Sequence, residues 1–120
     1  MVPTIETISA VTFRVANMTE SVRFYRDVLG MALLYGGEGA GFSSLRAGNP
    51  QSAILNLEQG ETTTRWGWLI FYVTNVDAFW THLEESGFNP ETPRDAPWGE
   101  RFFHMPDPDG HELSFARPLA

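Results

Sequence analysis

The sequence predicts an α+β protein built from two tandem β-α-β-β-β modules, and three observations predict it. A strand followed by a glycine-stopped helix occurs twice. Phe13-Arg-Val-Ala-Asn17 answers Phe71-Tyr-Val-Thr-Asn75 at a constant offset, and the same offset carries Asn56 onto Ser114. A polar, Thr-rich stretch without periodicity separates the two copies. Two copies at so long a period indicate a duplicated module and not a solenoid. The 120 residues are read as one domain, with module one over about 6–58, a linker at 59–65 and module two over about 66–117.

Ile8 to Val15 alternates, with Val11, Phe13 and Val15 on one face and Ala10, Thr12 and Arg14 on the other, which is a strand. Asn17 is a helix N-cap with Glu20 three residues on, and Met18, Val22, Tyr25 and Leu29 follow at helical spacing up to the stop at Gly30. Strands are then expected at Met31 to Tyr35, Gly41 to Arg46 and Ala53 to Glu58. In module two, Trp68 to Val73 is a strand, Asn75 is a cap, and Val76, Phe79, Trp80 and Leu83 repeat helically before Gly87. Phe88 to Thr92, Arg101 to Met105 and His111 to Ala116 are the remaining expected strands. Between the last two lies Pro106-Asp-Pro-Asp-Gly110, a hairpin turn by chemistry. Pro108 presets φ, the aspartates bond back to the backbone, and Gly110 takes φ > 0.

Composition excludes several chemistries. With no cysteine there is no disulfide framework, thiolate nucleophile or thiolate metal site. All 8 basic residues are arginine, so no Schiff-base or P-loop lysine is available. A net charge of −7 argues against nucleic acid and anionic membrane as partners and mildly favours a cationic ligand. Met1-Val-Pro-Thr4 carries neither a basic nor an apolar leader region, and no apolar run reaches membrane-spanning length. A soluble cytoplasmic protein is the expectation.

One face of each sheet, carrying Val11, Phe13, Leu69, Phe71, Leu113 and Phe115, is expected to meet the helices. The other carries Ala10, Thr12, Arg14, Asn56, Trp68, Ile70, Tyr72, Glu112 and Ser114. A face half polar and half aromatic is expected to line a cleft. Trp66, Trp68, Tyr72 and Trp98 converge there under the module plan, and aromatic walls suit planar or cationic ligands. Phe102 and Phe103 alternate, with Phe103 expected toward the cleft. Glu112 and Arg14 either pair with each other or anchor a polar ligand group. Glu112 is also the one weak candidate for a catalytic base, with Tyr72 or Thr12 assisting. No Ser, thiol or lysine nucleophile constellation is present. His104 and His111 flank the turn, and the sequence leaves open whether they share a face. His82 is read as a solvated helix residue.

In Val11-Thr-Phe-Arg-Val15, Ser21-Val-Arg-Phe-Tyr-Arg-Asp-Val-Leu-Gly30, Pro97-Trp-Gly99 and Asp107-Pro-Asp-Gly-His-Glu-Leu113, the chain resembles the glyoxalase/bleomycin-resistance/extradiol-dioxygenase superfamily, also called vicinal oxygen chelate. The likeness spans nearly the whole chain. It implies a cup-shaped mixed sheet with helices on the convex face, commonly in a homodimer, and leaves open whether each cup is built within one chain or across two. Metal-dependent members hold a divalent ion at positions that match Ala10, Asn56, Trp68 and Ser114. Ala10 and Trp68 stand where histidine is frequent, and Asn56 and Ser114 where glutamate is. Alanine and tryptophan are not ligands, serine is a poor one, and a single Asn carbonyl does not hold a transition ion. The resemblance therefore implies the cup without metal or other cofactor. That places the chain beside ligand-sequestering members such as bleomycin-resistance proteins, whose grooves take cationic drugs. The expected function is metal-free sequestration, in a homodimer, of an apolar or aromatic small molecule, a cationic one included. The alternative is a lyase, isomerase or dioxygenase of the same superfamily acting on a small carbonyl or aromatic compound.

Overall fold

The computed structural model describes residues 3–120. Met1 and Val2, the start of the stretch read as lacking a leader, lie outside the described residues. The chain divides into two compact units between Thr62 and Thr63.

In the first unit β1 (Ala10–Val15) leads into α1 (Met18–Arg23), then β2 (Ala32–Tyr35), β3 (Phe42–Arg46) and β4 (Ile54–Gln59). The second repeats the plan with β5 (Leu69–Tyr72), α2 (Val76–Glu85), β6 (Arg94–Asp95), β7 (Glu100–Pro106) and β8 (Glu112–Pro118). Each unit forms its own four-stranded mixed sheet, ordered β1-β4-β3-β2 and β5-β8-β7-β6. In each, the first strand runs parallel to the last and the other pairs are antiparallel. The α+β tandem β-α-β-β-β fold is thus present. Among the described residues no helix is long and apolar enough to cross a membrane.

The helix signals act as the side-chain chemistry requires. Asn17 and Asn75 are both extended, and their Oδ1 atoms accept from the N–H of Glu20 at 3.1 Å and of Ala78 at 2.9 Å. At the far end of α2, Gly87 takes φ +92°, its N–H donating to Glu84 O and that of Phe88 to Leu83 O. This is the paired closure that a left-handed residue permits. After Arg23, α1 widens into a π turn over Phe24–Val28, where Leu29 N–H donates to Phe24 O.

Gln59, expected to open the linker, is the last residue of β4. Its side-chain oxygen accepts from Met18 N–H at 2.9 Å, and its amide donates to Ala16 O. The strand expected at Phe88 to Thr92 does not form; the pairing is delayed to Arg94 and Asp95. Pro90 interrupts that stretch and Pro93 follows it, and proline supplies no ladder N–H.

The cores follow the alternation. Val15, Val22, Tyr25, Leu45 and Leu57 are fully buried in the first unit, as are Leu83 and Leu113 in the second. Removing each such side chain from water is worth about 1.5–3 kcal/mol. Phe115 is the hub of the second core, its ring stacked on Phe71, Phe79 of α2 and Phe103 at 5.6, 5.2 and 5.1 Å. Phe103 therefore faces the helix, which corrects its expected orientation toward the cleft. It registers against Phe115, and side chains paired across a ladder share a face. One residue away, Phe102 points to the opposite side.

Candidate functional site

The face of the second sheet away from α2 is assembled by register. Ile70, Ser114 and His104 form one row across β5, β8 and β7; Tyr72, Ala116, Phe102 and Arg94 form the next. Over these rows lies a groove of about 360 Å³. Trp68, Trp98, Ile70 and Phe102 supply its apolar surface, and Arg94, Glu100, His104 and Ser114 its polar groups. Exposed large apolar side chains at such density mark a binding surface more often than an idle one. Ile70 is 58% exposed and Trp98 67%.

The walls are held from below. Trp68 enters just before β5 and stacks on the His104 ring with centroids 3.7 Å apart. Trp98 stands at the tip of a tight turn in which Gly99 N–H donates to Ala96 O at 3.0 Å, Gly99 adopting φ +93°. Phe102 is the buried floor, touching Trp98 at 5.5 Å and His104 at 5.1 Å.

Glu100 ties two aromatics together. Its Oε1 accepts from Trp98 Nε1 at 2.9 Å, and its Oε2 accepts from the Tyr72 hydroxyl. The Tyr72 and Trp98 donors hold the Glu100 carboxyl below the usual range, and the same bond pushes the Tyr72 phenol up. Burial pushes His104 down, with Arg94 adding to the effect while Glu91 and Glu112 oppose it. Its Nδ1 lies 3.5 Å from Glu91. His104 is therefore neutral at physiological pH.

Of the expected ligand-binding residues, Trp68, Ile70, Trp98 and Ser114 line this groove, and Tyr72 braces it through Glu100. Trp66 is 49% exposed in the segment before β5 and is not part of the lining. Glu112 pairs with Pro106 beyond the groove, half-buried. Thr12, Arg14 and Asn56 belong to the open face of the first sheet. There the Ser44 hydroxyl donates to Asn56 Oδ1 at 2.7 Å, Asn56 Nδ2 donates to Thr12 Oγ1 at 3.3 Å, and Arg14 pairs with Glu58 at 3.3 Å. Of the alternatives for Arg14 and Glu112, the carboxylate facing Arg14 is thus that of Glu58. Sequence reasoning missed Arg94, Glu100 and Phe102 as lining residues. Phe102 was legible to within one position of register; Arg94 sits on a strand too short to leave a pattern.

The positions corresponding to the superfamily chelate do not fit a divalent ion. Ala10 has no donor atom, Trp68 offers an N–H donor in a ring stacked on His104, and Ser114 is a buried hydroxyl. Asn56 Oδ1 is occupied by Ser44. His104 and His111 do not come together: His104 joins the groove, whereas His111 is buried in the β7–β8 turn beside Asp107 and Asp109. In that turn Asp107 Oδ1 accepts from the N–H groups of Asp109 and His111 at 2.9 and 2.8 Å, and Gly110 takes φ +89°.

A sequence model of the Glyoxalase/Bleomycin resistance protein/Dioxygenase superfamily matches residues 7–115. No curated protein sequence matches the chain. Among solved structures, an integron cassette protein from the mobile metagenome of the Halifax Harbour sewage outfall superposes with a TM-score of 0.79 at 22% identity, over 93% of this chain and 98% of that one. Lactoylglutathione lyase from Agrobacterium tumefaciens gives 0.77 at 18%, covering 94% of both chains. A glyoxalase/bleomycin resistance protein/dioxygenase from Nocardioides gives 0.77 at 20%, over 98% and 87%. At such identities these likenesses concern the fold alone.

Proposed function

The chain belongs to the glyoxalase/bleomycin resistance protein/dioxygenase superfamily, and from that premise we propose that it is a metal-free binder that sequesters a planar, apolar or aromatic small molecule. The observation that carries this reading is the groove walled by Trp68, Trp98 and Phe102 on the open face of the second sheet. Indole and phenyl faces reward a flat ligand through stacking, at about 0.5–1.5 kcal/mol per ring pair beyond simple burial. Glu100, kept ionised by its two donors, fixes the walls before the ligand arrives, which lowers the ordering cost of binding. A homodimer in the cytoplasm is the setting that accompanies this reading. The homodimer is supported by the need to cover sheet edges, of which each four-stranded sheet has two.

The test is calorimetric titration of the full chain with a panel of two-ring aromatic compounds. Trp68→Ala and Trp98→Ala should each weaken binding by about tenfold, as the loss of one stacking wall predicts. Absence of any saturable heat at millimolar ligand would end this reading.

One observation favours a second reading, a lyase or isomerase acting on a small carbonyl compound: neutral His104 lies in the groove with Glu91 at 3.5 Å from its Nδ1. An imidazole oriented by a carboxylate is a competent general base. Deuterium exchange at the acidic C–H of small ketones and aldehydes, followed by NMR and abolished in His104→Gln, is the result this reading requires. Stoichiometric Zn, Ni, Mn or Fe by elemental analysis, removable with loss of turnover, would displace both readings.

A further inference from the structure

We propose that Arg94 is the anchor for a carboxylate on the ligand, so that the groove selects planar aromatic acids in their anionic form. This rests on the reading of the groove as a binding site and adds the charge of its occupant. The short strand β6 registers Arg94 against Phe102, and the guanidinium carbon lies 4.9 Å from that ring's centroid. A guanidinium held over an aromatic ring keeps N–H groups available to a partner. It has also already lost much of its side-chain freedom, so little more is lost when it grips a partner.

Carboxylates close to Arg94 in the chain or the ladder face other groups. Asp95 pairs with Arg101 at 3.0 Å, Glu91 faces His104 at 3.5 Å, and Glu100 accepts from Trp98 and Tyr72. Among the described residues Arg14, Arg23, Arg26 and Arg101 have carboxylate ion pairs, whereas Arg46, Arg65, Arg94 and Arg117 have none, and of these four Arg94 is the one in the groove lining. In a chain of net charge −7, a guanidinium left without a carboxylate beside an apolar hollow points to an anion from outside. Carboxylate matches the guanidinium fork in two parallel hydrogen bonds, and its attached ring would lie against Trp68 and Trp98. Glu100 repels a second negative charge placed nearby, which favours a monoanion. A cationic ligand would have to rely on a carboxylate whose two oxygens already accept bonds.

The experiment is calorimetric titration of the full chain with three compounds of one shape: 2-naphthoate, 2-naphthalenemethanol and 2-naphthylmethylammonium. The proposal expects naphthoate to bind about tenfold more tightly than the alcohol, as one charge-assisted contact supplies. Arg94→Gln should bring naphthoate down to the level of the alcohol while leaving the alcohol within about twofold, and Arg94→Lys should restore part of the preference. Thermal unfolding of both variants checks that they remain folded. Equal affinity for acid and alcohol, a preference that survives Arg94→Gln, or a preference for the ammonium compound overturns the anchor and leaves the binder reading standing. Failure of all three compounds to bind removes the groove reading and the anchor with it.

Discussion

At the scale of single residues, Glu100 and His104 decide how the groove behaves with pH. Because Glu100 accepts from Tyr72, the phenol should titrate above the ordinary tyrosine value, and Glu100→Gln should return it toward 10. An ultraviolet pH titration against the Tyr72→Phe background isolates that step. Burial against Trp68 depresses His104, so an imidazole NMR titration should find it below 6.5, and Trp68→Ala should move it upward as water returns. A midpoint unchanged by Trp68→Ala would mean that the stacking does not desolvate the ring. Trp68, Ile70 and Ser114 were legible as groove residues because period-two alternation sorts faces without any tertiary information, and Trp98 because the module plan brings its turn to the same face. Arg94 and Glu100 were not, because their place depends on where a two-residue strand docks and on which partner a carboxylate finds.

At the scale of elements, caps and turns are where local chemistry and observed structure coincide most closely. Asn75→Ala leaves the Ala78 N–H without its side-chain acceptor and should cost about 1 kcal/mol in urea unfolding, with Asn75→Asp nearly silent. Gly36, in the turn between β2 and β3, has φ +76°, and an added Cβ would stand 2.2 Å from Phe42 O and 2.9 Å from Ser43 Cα. Gly36→Ala should therefore destabilise clearly more than Gly110→Ala, whose Cβ meets only a Thr64 methyl at 3.8 Å. The two phenylalanines of β7 separate packing from binding. Phe103→Ala should cost about 3–5 kcal/mol of stability by emptying the stack around Phe115. Phe102→Leu should keep the fold but release Arg94 from its platform, read as weaker ligand binding. That assignment turned on a single step of register, which an apolar Phe-Phe pair does not specify by itself.

At the scale of the whole molecule, the acidic composition is structured by ion pairs. Arg26 holds Asp27 low, Arg26 and then Arg23 do so for Glu38, and the Tyr72 and Trp98 donors do so for Glu100. Each of these groups binds fewer protons folded than unfolded, so its contribution is present above the ordinary carboxylate range and is lost as pH falls through it. His104, also depressed, adds a loss below about 6.5, and Tyr72, raised, adds one above about 10. Thermal midpoints measured across pH should therefore form a plateau near neutrality that descends at both ends, steeper on the acid side. A midpoint still rising as pH drops below 4 would contradict this. The sequence by itself determined the duplicated β-α-β-β-β plan, the helix caps and the Asp-Pro-Asp-Gly turn, since each depends on residue chemistry and near-neighbour spacing. Only the tertiary structure decided that Phe102 and not Phe103 floors the groove, that β6 is delayed past Pro93, and that Arg94 lies over an aromatic ring without a carboxylate. Those outcomes depend on strand register and on competition among distant partners, and the free-energy differences that settle them arise only when the sheet is assembled.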